Sequence, residues 1–150
     1  MKFVGDPTIW VVDGGRLGNF GVCICYDFMD LERALVYRGK IHHLFVLAYN
    51  RDVELFRSLA ATLSRTVFCN VVVCNTGIYG ASIAVAPYYQ AYERTVYGED
   101  GLGLFSAQAF TLPLGSIALA QGGDKTVLGS STLTPAKKLK SPPPGFGTSS

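Results

Sequence analysis

The residues with most chemical potential are Gly21-Val22-Cys23-Ile24-Cys25-Tyr26-Asp27. The apolar run Asn19 to Tyr26 predicts a strand, and Asp30 is a fitting N-cap for a helix over Leu31 to Arg38, which Gly39 would close. Cys25 therefore falls near the carboxyl end of a strand and ahead of a helix. Open α/β sheets place reactive groups there, because the strand ends leave a crevice that loops can shape. A thiolate in that position can attack a carbonyl or nitrile carbon. Cys23 shares a sheet face with Cys25 but lies deeper in the strand, as a core residue. A cysteine in an apolar strand also suits the plainer role of a small buried hydrophobe, and position alone leaves both readings open.

The elements that would position Cys25 follow from periodicity. Thr8 to Val12 reads as a short strand ended by the turn Asp13-Gly14-Gly15, so it forms a hairpin with Asn19–Tyr26. Leu44 to Tyr49 is too short and apolar for a surface helix and reads as a buried strand. Asp52 caps a helix whose Val53, Phe56, Leu59, Ala60 and Leu63 share one face. Asn70 to Asn75 and Ser82 to Ala86 are strand-like, and Pro87 ends the second. Tyr88 to Gly103 has no clean period and is expected to be irregular, with one helical turn. Phe105 to Leu112 is expected as the last strand. From Leu133 the chain turns to Pro, Lys, Ser and Gly, which predicts a domain over 1–132 and a flexible tail over 133–150. The order β-β-α-β-α-β-β-β is an α/β arrangement with helices layered on a sheet.

Composition narrows the function classes. The 150 residues are 49% hydrophobic and 16% charged, enough to bury a core. Residues 1–130 carry a net charge of −1, and the basic excess comes from Lys137, Lys138 and Lys140. A basic tail without a basic body does not predict a nucleic-acid partner. No apolar run has the roughly 20 residues a membrane span needs, so no membrane partner is expected. The N-terminus lacks the order of a signal peptide. Cys23, Cys25, Cys69 and Cys74 lie in apolar stretches with spacings that fit neither a disulfide framework nor zinc. Reduced thiols and a cytoplasmic location are expected, with Cys23, Cys69 and Cys74 buried by their strands. His42 and His43, being adjacent on a strand, face opposite sides and cannot readily share a metal. Tyr88, Tyr89, Tyr92 and Tyr97 are read as packing around the irregular segment rather than as a pocket.

Residues 18–30, Gly-Asn-Phe-Gly-Val-Cys-Ile-Cys-Tyr-Asp-Phe-Met-Asp, resemble the nucleophile motif of the nitrilase, or carbon–nitrogen hydrolase, superfamily. The segment from Asn75 to Pro87 is similar to that family's Asn–Gly–Gly–Ser–Pro strand-loop-strand. Gly39, the strand Leu44–Ala48 and the helix leading to Arg65 occupy matching places between them. The resemblance spans roughly residues 8–115. It implies a partial α-β-β-α sandwich, the C-terminal half of such a domain, that hydrolyses a small-molecule amide or nitrile without a cofactor or metal.

The family uses a Glu–Lys–Cys triad. By motif match, Cys25 is the nucleophile, the Tyr26 N–H an oxyanion donor, and Asp27 an acid that orders the turn. Asn75, Gly77, Gly80 and Ser82 form a candidate site loop, for which turn geometry is an equally good reading. No Glu precedes Cys25, and the lone preceding lysine, Lys2, lies outside any matching motif. This chain alone is therefore expected to be inactive. It would work within a larger parent chain, or serve as a catalytically incomplete module for assembly or regulation. An uncovered sheet face should drive self-association.

Overall fold

The computed structural model describes residues 8–103, 105–131 and 133–146. Strands β1 (Val12–Asp13), β2 (Asn19–Ile24), β3 (His43–Ala48), β4 (Asn70–Asn75), β5 (Ser82–Val85) and β6 (Thr95–Glu99) form one six-stranded sheet in chain order. Helix α1 (Leu31–Val36) joins β2 to β3, and α2 (Val53–Leu63) joins β3 to β4. These pairs are parallel, while β1/β2, β4/β5 and β5/β6 are antiparallel. Parallel neighbours need crossovers of one hand, so two successive crossovers advancing the same way put both helices on one face.

The caps form as the residue types dictate. Asp30 Oδ1 accepts from the Arg33 N–H at 3.0 Å, and Asp52 Oδ1 accepts from the Leu55 N–H at 3.1 Å. Gly39 has a left-handed φ of 71° past the end of α1. Phe56, Ala60 and Leu63 of α2 and Ala34 of α1 bury against Cys23, Leu44, Val46, Val71 and Val73. Gly21 has a packing role, since a Cβ there would lie 2.6 Å from the Tyr37 ring, which crosses β2.

The opposite sheet face is apolar and partly bare. Val22, Ile24 and Leu47 are 43%, 63% and 52% exposed, and Cys74 is exposed beside Leu47. Buried parallel strands carry hydrophobes on both faces, which explains the composition of β2 to β4.

Several sequence expectations need correction. The first strand is only Val12–Asp13, although its hairpin with β2 forms. The stretch Tyr88–Gly103 contains a strand, β6, preceded by the expected helical turn at Ala91–Glu93. Residues 105–112 hold no described strand. Their apolar residues have another use: Phe110, Leu112 and Leu114 meet Phe20 and Phe45 around an apolar groove of about 470 Å³ on the open face. Cys74 is exposed rather than buried.

Helix α3 (Leu114–Gln121) was not anticipated. Its Gln121 amide donates to the Ile41 and Phe68 carbonyls, both at 2.9 Å, and Ile117 and Ala120 bury beside Phe68 and Tyr88. Leu139, from the segment expected as a tail, is fully buried in that cluster and bridges Tyr88 and Leu128.

Candidate active site

The carboxyl ends of β2, β3 and β4 run side by side into Cys25, Tyr49 and the loop after Asn75. Cys25 has a left-handed φ of 47° and opens a 3-10 turn over Cys25–Met29. Such a backbone costs a non-glycine residue about 1–2 kcal/mol. The bend takes the thiol off the strand into a half-buried position, where it donates to the Tyr49 carbonyl at 3.7 Å. A strained strand-to-turn corner is a way to hold a nucleophile clear of its sheet.

Tyr26 projects into solvent. The Asp27 carboxylate faces Arg33 Nη1 at 3.8 Å, and the Asp27 carbonyl accepts from the Asp30 N–H. Beside Cys25, Tyr49 belongs to a polar cluster that sequence reading missed. Its hydroxyl lies 3.4 Å from that of Tyr79, to which Arg51 Nε donates at 3.0 Å. The hydrogen bond with Tyr49, aided by the Arg51 cation, lowers the Tyr79 pKa, and the same hydrogen bond raises that of Tyr49.

Asn75 is a brace. Its Oδ1 accepts from the Asn50 N–H at 3.0 Å, and its Nδ2 donates to the Asn50 and Gly80 carbonyls at 2.8 Å each. Its backbone N–H donates to Ser82 Oγ at 3.1 Å, and that hydroxyl donates back to the Asn75 carbonyl at 3.3 Å. One side chain thus ties the loop after β3 to the β4–β5 loop.

Asn75, Gly77, Gly80 and Ser82 all line one cleft of about 410 Å³, together with Glu99, the β6 partner of Ser82, and with Phe105 and Ser106. The lining does not include Cys25. Strands are about 4.8 Å apart, so β4 lies roughly 10 Å and β6 roughly 19 Å from β2 along the rim. The candidate residues thus form two neighbouring features, the Cys25 corner and the Asn75–Glu99 cleft. Glu99 carried no sequence signal, because β6 itself was not recognised. His42 and His43 have separate partners: His42 Nδ1 accepts from the Asn19 N–H at 2.9 Å, and His43 Nδ1 lies 3.2 Å from the Asn70 amide nitrogen. Burial lowers both imidazole pKa values. Among the described residues, no three His, Cys, Asp or Glu side chains gather as metal ligands, and no helix is long and apolar enough to cross a membrane.

Neither a family model nor a curated protein sequence matches the chain. A solved structure does: Saccharomyces cerevisiae Nit3, a member of branch 10 of the nitrilase superfamily, matches with a TM-score of 0.57 at 24% identity. The fold is nitrilase-like. The match covers 68% of this chain and 40% of Nit3, so the nitrilase-like region here spans well under two thirds of that protein. At this identity the likeness concerns the fold of the mixed α/β sheet.

Proposed function

We propose that this chain carries the nucleophile of a thiol-dependent carbon–nitrogen hydrolase, with Cys25 attacking an amide or nitrile carbon. The observation that carries the reading is the left-handed corner at Cys25, at the carboxyl end of β2, the first parallel strand of a nitrilase-like sheet. Phe68, Ala81 and Lys137 share the left-handed region, so the corner supports the reading because it falls on a nucleophile-type residue whose thiol is turned to the strand ends.

With an amide, the Cys25 sulfur forms a bond to the carbonyl carbon while its proton passes to a base. The oxygen becomes an oxyanion on the Tyr26 N–H. Collapse breaks the C–N bond, the amine leaves with that proton, and water then cleaves the thioester. Asp27 lies beside Arg33 and serves the turn. Glu99, four strand spacings away at roughly 19 Å, is out of reach of Cys25. The base and an oxyanion-stabilising lysine therefore come from a larger parent chain, whose second sheet covers Val22, Ile24 and Leu47. That apolar face is the feature that favours such a partner, or self-association in its absence.

The engagement of Asp27 by Arg33 favours a second reading, a catalytically incomplete nitrilase-like module used for assembly. Limited alkylation at neutral pH with peptide mapping tests the nucleophile. Cys25 is expected to react first among the four thiols, and preferential labelling of Cys69 or Cys23 would refute the assignment.

A further inference from the structure

We propose that the cleft between the Asn75–Ser82 loop and Glu99 binds a small organic cation, an alkylammonium or guanidinium group, on the Glu99 carboxylate. Glu99 is the charged residue of the lining. Both donors that reach it, the Tyr97 hydroxyl and Ser106 Oγ, bond to the same oxygen, Oε2, at 2.6 Å each. Among the described residues Oε1 has no hydrogen-bond partner. The two hydroxyls fix the carboxylate and, with Ser106 first, hold its pKa below the ordinary glutamate value.

The cations nearby are engaged elsewhere: Arg57 pairs with Asp100 and with Glu54, and Arg51 with Tyr79. Several other polar groups of the cleft are committed. Asn75 and Ser82 bond local backbone, the Gly80 N–H donates to Thr76, and the Gly77 carbonyl accepts from Gly103. The cleft thus presents one fixed anionic acceptor with an open oxygen, which suits a ligand that brings its own N–H donors and positive charge.

Phe105 lines the same cleft and is 88% exposed, so its ring face is open to a ligand. An aromatic face beside a carboxylate is a setting in which an ammonium or guanidinium gains both ion pairing and cation–π attraction. Gly80 keeps the cleft formed. Its φ is 64°, and a Cβ there would lie 2.3 Å from the Gly101 carbonyl oxygen.

The test is a titration of the chain with n-butylammonium chloride, followed by amide chemical shifts, with 1-butanol and butyrate at equal concentration as controls. Saturable shifts confined to Gly77, Gly80, Ser82, Glu99 and Ser106 are expected for the cation and not for the controls. Glu99→Gln keeps an acceptor for Tyr97 and Ser106 and should weaken binding about tenfold or more. Phe105→Ala alters an exposed side chain and should weaken it by a smaller factor. Cys25→Ala should leave it unchanged, so this site stands or falls separately from the hydrolase reading. An equal response to 1-butanol, no saturable shift, or full affinity in both Glu99→Gln and Phe105→Ala would overturn the proposal.

Discussion

The Cys25 thiol donates to the main-chain oxygen of Tyr49 at 3.7 Å, across the adjoining ends of two parallel strands. It does so from a left-handed backbone, φ 47°, that β2 itself does not impose. The strain predicts an unusual stability order. Glycine in an ordinary strand or helix is about 0.5–1 kcal/mol worse than alanine, but at a left-handed position that order inverts. Cys25→Gly should therefore be more stable than Cys25→Ala by about 1 kcal/mol in urea unfolding. An alanine variant more stable than the glycine variant would show that the corner is not strained.

Thiol accessibility should divide the four cysteines in pairs. Burial, reinforced by Asp27, pushes the Cys23 pKa up to about 11, and Cys69 is completely buried with its pKa raised. Both should resist iodoacetamide until the chain unfolds. Cys74 is exposed on the open face yet has a pKa raised by partial desolvation, so it should label, but more slowly than Cys25. Protection of Cys74 in the intact chain, read by mass spectrometry, would report that the open face is covered by association.

The pH dependence of stability has a predictable sign at both ends. Cys23 has a folded-state pKa raised from 9.0 to about 11, so its contribution is present below pH 9 and is lost as pH rises toward 11. Glu99 has a depressed folded-state pKa, so its contribution is present above the unfolded glutamate value and is lost as pH falls through the folded one. Urea midpoints should fall less steeply with alkali in Cys23→Ala, and less steeply with acid in Glu99→Gln. Unchanged slopes would show that these groups are not perturbed in the fold.

Gly80→Ala should be disruptive well beyond a typical surface change. It combines a left-handed φ of 64° with a Cβ position 2.3 Å from the Gly101 oxygen. A loss of roughly 2 kcal/mol or more is expected from backbone strain and displacement of the facing loop. Gly103→Ala, at φ 71° but with open space around the added methyl, should cost less. Equal losses in thermal melts would indicate that the Gly80–Gly101 approach does not matter.

The sequence made the central α/β layers legible because the signals there are local. Asp30 and Asp52 each precede an apolar-periodic run and do cap α1 and α2. The valine-rich strand Asn70–Asn75 forms over those same residues. What failed depends on contacts distant in the chain. Residues 105–112 are partly apolar because Phe110 and Leu112 rest on the sheet, not because they pair as a strand. Strand β6 is five residues long with Gly98 inside it, too weak a pattern to recognise. Its Glu99 gains meaning only when the following loop brings Ser106 back to it. Cys74 was misplaced because a Val-rich run does not say which of its two faces is covered. The left-handed φ of Cys25 has no sequence signature, and only the resemblance to a nucleophile motif directed attention to that residue.

The most direct measurement is acylation by p-nitrophenyl acetate at neutral pH, with release of p-nitrophenolate followed in time and the adduct mapped by mass spectrometry. A single acetyl group on Cys25 is expected, with one equivalent of p-nitrophenolate released without continued turnover and the adduct lost in Cys25→Ala, because Asp27 faces Arg33 and Glu99 lies four strands away. Acylation spread over Cys74 and surface lysines, with Cys25 unmodified, would contradict the assignment of Cys25 as the nucleophile.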